Sequence, residues 1–326
     1  MRRLRVVAVL PLVLLCLVQA PSAQGSVKKL AQTGLQFLKV DVGARPAAMG
    51  GAFVVVGEGA SAMFYNPAGI ALFQDNIDLF VSRTQWFANI AYNAGGVVKN
   101  LGKYGNVGIS FILCDYGDDF IGTRVADNEQ GYIETGSLQV GAYAVGVSYA
   151  RSLTDKFSVG GQIKFTGQHL GSSLMPGEAT VENRVSGLAY DFGTVFYPGF
   201  KSFRFGMSVR NFSAQFKYAD EPFQLPLTFK IGIAMDVRDL FGEHDNPLLI
   251  AVDAIHPRDY TERIHLGGEY WYRQLIALRM GYKFNYDEEG LTVGVGLRTK
   301  AIRLDYSFSD MADFGAVSRF SVGVAF

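Results

Sequence analysis

Apolar and polar residues alternate along most of this chain. At 318–326 the sequence reads Ser-Arg-Phe-Ser-Val-Gly-Val-Ala-Phe, so Phe320, Val322, Val324 and Phe326 fall on one side and Ser321, Gly323 and Ala325 on the other. Strand side chains point alternately to the two faces, so this segment has one apolar face and one small, polar face. The same pattern recurs. At 276–286, Ile276, Leu278, Met280, Tyr282, Phe284 and Tyr286 oppose Ala277, Arg279, Gly281, Lys283 and Asn285. At 225–237, Leu225 to Val237 oppose Thr228, Lys230, Gly232, Ala234 and Asp236, and 203–210 and 302–309 behave alike. Each run covers about ten residues, the length at which a tilted strand crosses a bilayer.

Continued along the chain, the pattern predicts strands near 75–84, 89–98, 105–115, 137–151, 156–169, 187–198, 202–212, 225–237, 247–256, 263–273, 275–286, 290–299, 302–310 and 318–326. The even total suits a bacterial barrel whose two ends lie on one side. Connections after even-numbered strands are mostly tight, 238–246 excepted. Those after odd-numbered strands include the long segments 116–136, 170–186 and 213–224. Short turns on one side and long loops on the other are the asymmetry of an outer-membrane barrel, and a soluble sandwich has no reason to show it. The fold class expected is an all-β transmembrane antiparallel barrel of about 14 strands.

The charges sharpen the assignment. Lys164, Arg204, Arg210, Lys230, Asp236, Glu269, Arg273, Arg279, Lys283, Arg298, Arg303 and Asp305 all fall opposite the apolar face, where a wet lumen would accept them. Residues 1–23 read as a signal peptide: Arg2, Arg3 and Arg5, an apolar stretch Val6 to Val18, then Ala20-Pro21-Ser22-Ala23 before the cut. Its removal would take three arginines from a balance of 30 basic and 30 acidic residues. The mildly acidic remainder speaks against nucleic acid as a partner. Cys114 would be the one remaining cysteine, so no internal disulfide is expected. The 38 glycines, 25 Phe and 16 Tyr suit small lumen residues and aromatic girdles. These features place the chain in the outer membrane of a Gram-negative-type bacterium, with lipid and the barrel-assembly machinery as partners. The aromatic-ended strand of Phe320, Val322, Val324 and Phe326 would be the segment that machinery reads.

Residues 24–74 break the alternation and read as a hatch segment ahead of the barrel, 75–326. Gly50-Gly51 permits close backbone approach. Pro67 suits the first turn of a short helix capped by Asn66, and Ala60 to Tyr65 suits another. A fourteen-stranded barrel is wide enough that its lumen needs filling or becomes a channel. The run from Phe37 to Phe73 resembles the opening of the PorV/PorQ family of outer-membrane proteins, within the FadL-like superfamily of fourteen-stranded barrels with an N-terminal hatch. The matching elements are Gly43-Ala44-Arg45, Met49-Gly50-Gly51-Ala52 and Tyr65-Asn66-Pro67-Ala68-Gly69. Gly57-Glu58-Gly59 departs from it, since relatives usually carry an acidic pair there.

The resemblance implies two functions. PorV-like members take part in type IX secretion, accepting cargo with a C-terminal signal domain from the outer-membrane translocon and passing it to a surface attachment complex. Phe120, Tyr132, Phe216 and Tyr218 in the long loops would then be partner contacts. FadL-like members pass hydrophobic small molecules across the outer membrane, with Asn66-Pro67-Ala68 as the gate. No catalytic constellation stands out, and no cofactor or metal is expected. His169, His244, His256 and His265 lack metal-ligand spacing. His265 beside Glu269 reads as structural, and Asp115, Asp118 and Asp119 around Gly117 read as a solvated acidic loop rather than a calcium site.

Overall fold

The computed structural model describes residues 33–117, 120–173, 180–218, 221–242 and 245–326. The expected signal peptide, residues 24–32, Asp118, Asp119 and His244 lie outside them. The strands are β1 (Ile77–Gln85), β2 (Ala91–Asn100), β3 (Asn106–Asp115), β4 (Ile121–Val125), β5 (Tyr132–Ser137), β6 (Val140–Ser152), β7 (Phe157–Ser173), β8 (Val181–Phe196), β9 (Arg204–Phe212), β10 (Phe216–Lys217), β11 (Pro222–Phe223), β12 (Thr228–Asp236), β13 (Leu248–Pro257), β14 (Arg263–Tyr272), β15 (Ile276–Phe284), β16 (Leu291–Arg298), β17 (Ile302–Asp310) and β18 (Ala316–Ala325). Fourteen of them form one closed antiparallel barrel, while β4–β5 and β10–β11 pair off as small hairpins. Closure comes from β1 against β18, in a register running from Asp78 opposite Ala325 to Gln85 opposite Ser318. Phe326 extends the seam by exchanging backbone hydrogen bonds with Ile77.

All fourteen expected strands are present, and their alternation is resolved into an outer and an inner face. On β15, Ile276, Leu278, Met280, Tyr282 and Phe284 are exposed, whereas Ala277, Arg279 and Lys283 are buried. On β17, Ile302, Leu304, Tyr306 and Phe308 face outward. A continuous apolar belt of this kind far exceeds what a soluble monomer exposes and is what lipid would cover. Aromatic side chains collect at the edges. Tyr149, whose hydroxyl donates to the Tyr104 carbonyl (2.6 Å), lies at the short-turn end, and Phe87 stacks on Phe314 (4.9 Å) at the other.

Two readings of the loops need correction. Much of the expected loop 170–186 is strand, because β7 and β8 keep pairing as far as Ser173 and Val181. Leu225 is not an outward residue of a barrel strand. It is fully buried ahead of β12, which starts at Thr228, so the alternation there ran past the end of the ladder.

The apolar core lies inside the barrel. Residues 33–74 thread the lumen as short turns: a helix at Ala44–Ala48 and 3₁₀ turns at Gln36–Lys39, Gly59–Phe64 and Pro67–Leu72. Leu35, Leu38, Met49, Phe53, Val54, Val55, Met63, Tyr65 and Ile70 are essentially inaccessible. Within this hatch the internal backbone hydrogen bonds are short-range ones that close successive turns, and they leave other backbone groups unpaired. Its polar groups must find partners in the wall.

Candidate functional site

The lower hatch, residues 43–73, is pinned by wall side chains that accept or donate to its backbone. Asp253 on β13 accepts the N–H groups of Phe53 (2.8 Å) and Val54 (3.1 Å). Asp78 on β1 accepts the Ala60 N–H (2.7 Å) and pairs with Arg303. The Thr292 hydroxyl donates to the Ala48 carbonyl and accepts the Gly50 N–H, both at 3.0 Å. Asn106 donates to the Ile70 and Phe73 carbonyls. Arg45 makes a two-pronged ion pair with Glu269 (2.8 Å for each bond). Glu269 also accepts from Arg279 (2.6 Å), which reaches Asp305 (2.7 Å). Each charge in this series of four, Arg45, Glu269, Arg279 and Asp305, has an opposite partner, the condition under which buried charges are tolerated.

The hatch motif explains itself in this setting. Gly50 has φ 64° and Gly51 φ 76°, left-handed values that favour glycine. The turn they make lies against Gly281 of β15, where an added Cβ would sit 2.0 Å from the Gly50 nitrogen. Gly43 starts the short helix, with Ala44 N–H on the Ser321 hydroxyl, and Met49 is fully buried. Asn66 caps the turn at Pro67 by accepting the Ala68 N–H (3.1 Å), and its amide donates to Val54 (2.8 Å) and to Thr194 on the wall (3.0 Å). Gly69 follows, packed on the Gly57 carbonyl. Asn66-Pro67-Ala68 therefore sits buried and tied to β7 and β8, at the short-turn end.

The upper hatch, residues 33–41, is held differently. Asp259, in the loop after β13, accepts from the Thr33 hydroxyl (2.7 Å), Gln36 (3.1 Å) and Lys39 (3.1 Å). Burial pushes its carboxyl up, but the Thr33 bond and Lys39 outweigh this and leave it below the usual carboxylate range. Asp41 is opposed by burial and held far below that range by Lys283 (2.7 Å), with Lys230, His265 and Arg319 adding to the effect.

Between this upper segment and the long-loop end lies a cavity of about 410 Å³. Phe37 comes from the hatch, Trp86, Phe87 and Tyr92 from the first hairpin, and Tyr116 and Tyr260 from two further loops. Six rings make an aromatic cup with a charged side formed by Lys39, Asp41, Lys283, Glu289 and Arg319; Lys39 lies over the Tyr260 ring (4.3 Å) and Arg319 over Trp86 (5.5 Å). A second cavity, of about 390 Å³, opens at the short-turn end around Phe73, Asn100, Lys103 and Arg151. The inaccessible residues of the lower hatch stand between the two.

The sequence did not single out the cup, because its rings come from distant segments and only the closed barrel brings them together. The expected loop contacts divide. Phe120 and Tyr132 are exposed beside the β4–β5 hairpin. Phe216 is buried against Gly187 of β8, and Tyr218 stacks on Phe223 (5.3 Å) and donates to Gln168 (2.8 Å), its phenol pushed up to about 12 by burial. Those two fold inward over the mouth, since a short hairpin without a strand face of its own buries its rings on the nearest wall. His265 bonds Tyr286 (2.8 Å), not Glu269. Phe320, Val322, Val324 and Phe326 line the outer face of the closing strand. Among the described residues no cluster of three His, Cys, Asp or Glu could hold a metal ion.

Fold and site together define an outer-membrane-type barrel whose lumen is filled by the chain's own N-terminal segment. Two solved structures share that fold. The Pseudomonas putida toluene transporter TodX superposes with a TM-score of 0.57 and 12% identity, over 91% of this chain and 98% of that one. A TodX monoaromatic hydrocarbon channel deltaS2 mutant gives 0.53 and 14%, over 86% and 96%. Neither a family model nor a curated protein sequence matches the chain. The barrel thus shares its fold with these two proteins, and no comparison singles out the PorV/PorQ branch.

Proposed function

We propose that this chain is an outer-membrane channel that captures small apolar molecules at the cell surface for passage inward. The observation that carries the reading is the aromatic cup. A cavity of this size with six rings in its lining, at the outer mouth of a filled barrel, suits a small ligand with an apolar, aromatic-compatible body. The fold shared with a toluene transporter supports the same class of ligand. The upper hatch forms one wall of the cup, so its movement couples ligand binding to the route below. Passage follows when the hatch yields. The test is the initial uptake of labelled toluene by cells that carry the chain in their outer membrane. Wild type should exceed cells lacking it, and Trp86→Asp, which places a charge in the cup, should reduce uptake about tenfold. Equal uptake with and without the chain would sink the reading.

Type IX secretion is the second reading. It is supported by the hatch motif and by the exposed apolar side chains of the β4–β5 hairpin, Phe120, Ile121, Val125 and Tyr132, which suit transient protein contact. Its test is deletion of the gene followed by proteomics of the cell surface and periplasm. Retention inside of proteins sharing a C-terminal domain supports it, and an unchanged surface proteome removes it.

A further inference from the structure

Beneath the cup, a cavity of about 80 Å³ lies between the hatch and the lumen wall. Five basic side chains border it, Lys39, Arg210, Lys230, Arg263 and Lys283, against two carboxylates, Asp41 and Glu289. The pairing is uneven. Lys39 is taken by Asp259, and Lys283 by both Asp41 and Glu289. Arg263 lies over the rings of Tyr260 (4.3 Å) and Tyr286 (3.8 Å). Lys230 is 6% exposed and, among the described residues, makes no hydrogen bond and has no carboxylate within 4.0 Å. Its nearest ring is Tyr65, at 5.7 Å. Arg210 is 8% exposed, gives one long bond to the Leu38 carbonyl (3.4 Å), and its Nε has no partner. Arg210 is opposite Thr228, two residues from Lys230 on the same lumen face. The next carboxylate behind them, Asp253, takes the Phe53 and Val54 N–H groups on Oδ2, while its Oδ1 has no hydrogen-bond partner and does not reach Lys230.

Asp41 and Asp253 attract Lys230 from beyond contact distance, but neither pairs with it directly and Asp41 is taken by Lys283. A buried ammonium without a contacting partner is unfavourable, and a guanidinium beside it more so. The space available is several times the roughly 10–15 Å³ that one water needs, so it can take an anion of four or five heavy atoms. We propose that this cavity is a binding site for a small oxyanion, held by the Lys230 ammonium and the Arg210 guanidinium through charge-assisted hydrogen bonds. The anion bridges the wall to the upper hatch through Arg210 and Leu38. Two sources share that chemistry: an inorganic anion, or the carboxylate of an aromatic acid arriving through the cup, which shares Lys39, Asp41, Lys283 and Glu289 with this cavity. The site does not depend on which molecule the cup admits.

The test uses the purified full chain in detergent, in chloride at constant ionic strength, titrated separately with inorganic phosphate and with benzoate. Thermal unfolding and calorimetry are the readouts. Saturable one-site binding of at least one of them is expected. In Lys230→Met the affinity should fall about tenfold or more, while its unfolding temperature in anion-free chloride is no lower than wild type, since an uncompensated charge has gone. Phosphate alone assigns an inorganic ligand, and benzoate alone an aromatic acid. Wild-type crystals soaked in selenate should show an anomalous peak within hydrogen-bond distance of Lys230 Nζ, which covers a variant that does not fold. No saturable binding of either anion, equal affinity in Lys230→Met, or, where phosphate binds, no such peak would overturn the site.

Discussion

The two halves of the hatch are built on different principles. Residues 43–73 are locked by fully buried side chains from many strands: Asp78, Asn106, Asp253, Glu269 and Thr292 each take hatch groups directly. Residues 33–41 are held by one loop carboxylate, Asp259, by a backbone bond from Gly34 to Gln224 and by Lys283 and Arg319 at Asp41, and they form a wall of the aromatic cup. On the proposed function, the lower half would seal and the upper half would move. On that proposal, stability and opening are assigned to separate residues of one short segment.

The comparison can be broken most severely by removing the plug. Deleting residues 33–74 should raise the ion conductance of the reconstituted barrel about tenfold or more, because a barrel of this width is otherwise an open channel. Unchanged conductance would mean that the segment does not seal. Next in size is Glu269→Ala, which strips Arg45 of its buried partner and weakens the link to Arg279. A loss of about 3–5 kcal/mol is expected, read as a lowered unfolding temperature with increased leak. Gly281→Ala acts by shape alone. The added methyl meets hatch backbone at Gly50 and Met49, which no rotamer change relieves, and should cost about 1–3 kcal/mol.

The smallest effect belongs to the upper half. Asp259 is held below the usual carboxylate value of about 4, so its contribution is complete at neutral pH and is lost as pH falls through that lowered value. Protease cleavage within 33–39 should therefore rise in strong acid while 43–73 stays protected. Asp259→Ala should show the raised cleavage already at neutral pH.

How much of this was legible in sequence follows from where the information lies. The ladder 302–310 matches β17 end to end, because a charged lumen and a lipid exterior write themselves into successive residues. The turn at Gly50-Gly51 and the Asn66 cap were also local signals. The partner of Arg45 was not, since Glu269 lies 224 residues away and only barrel closure sets them together. The same holds for the cup, whose rings come from Phe37, Trp86, Tyr116 and Tyr260. Phe216 and Leu225 look like loop and strand residues by composition, yet both are buried at the barrel mouth.

The most direct test of the division is amide hydrogen exchange across residues 33–74 in the detergent-solubilised barrel, with and without toluene. The account predicts slow exchange throughout 43–73 under both conditions. It predicts faster exchange in 33–41, slowed selectively when toluene fills the cup. Uniform exchange along the whole hatch, or protection by toluene confined to 43–73, would contradict it.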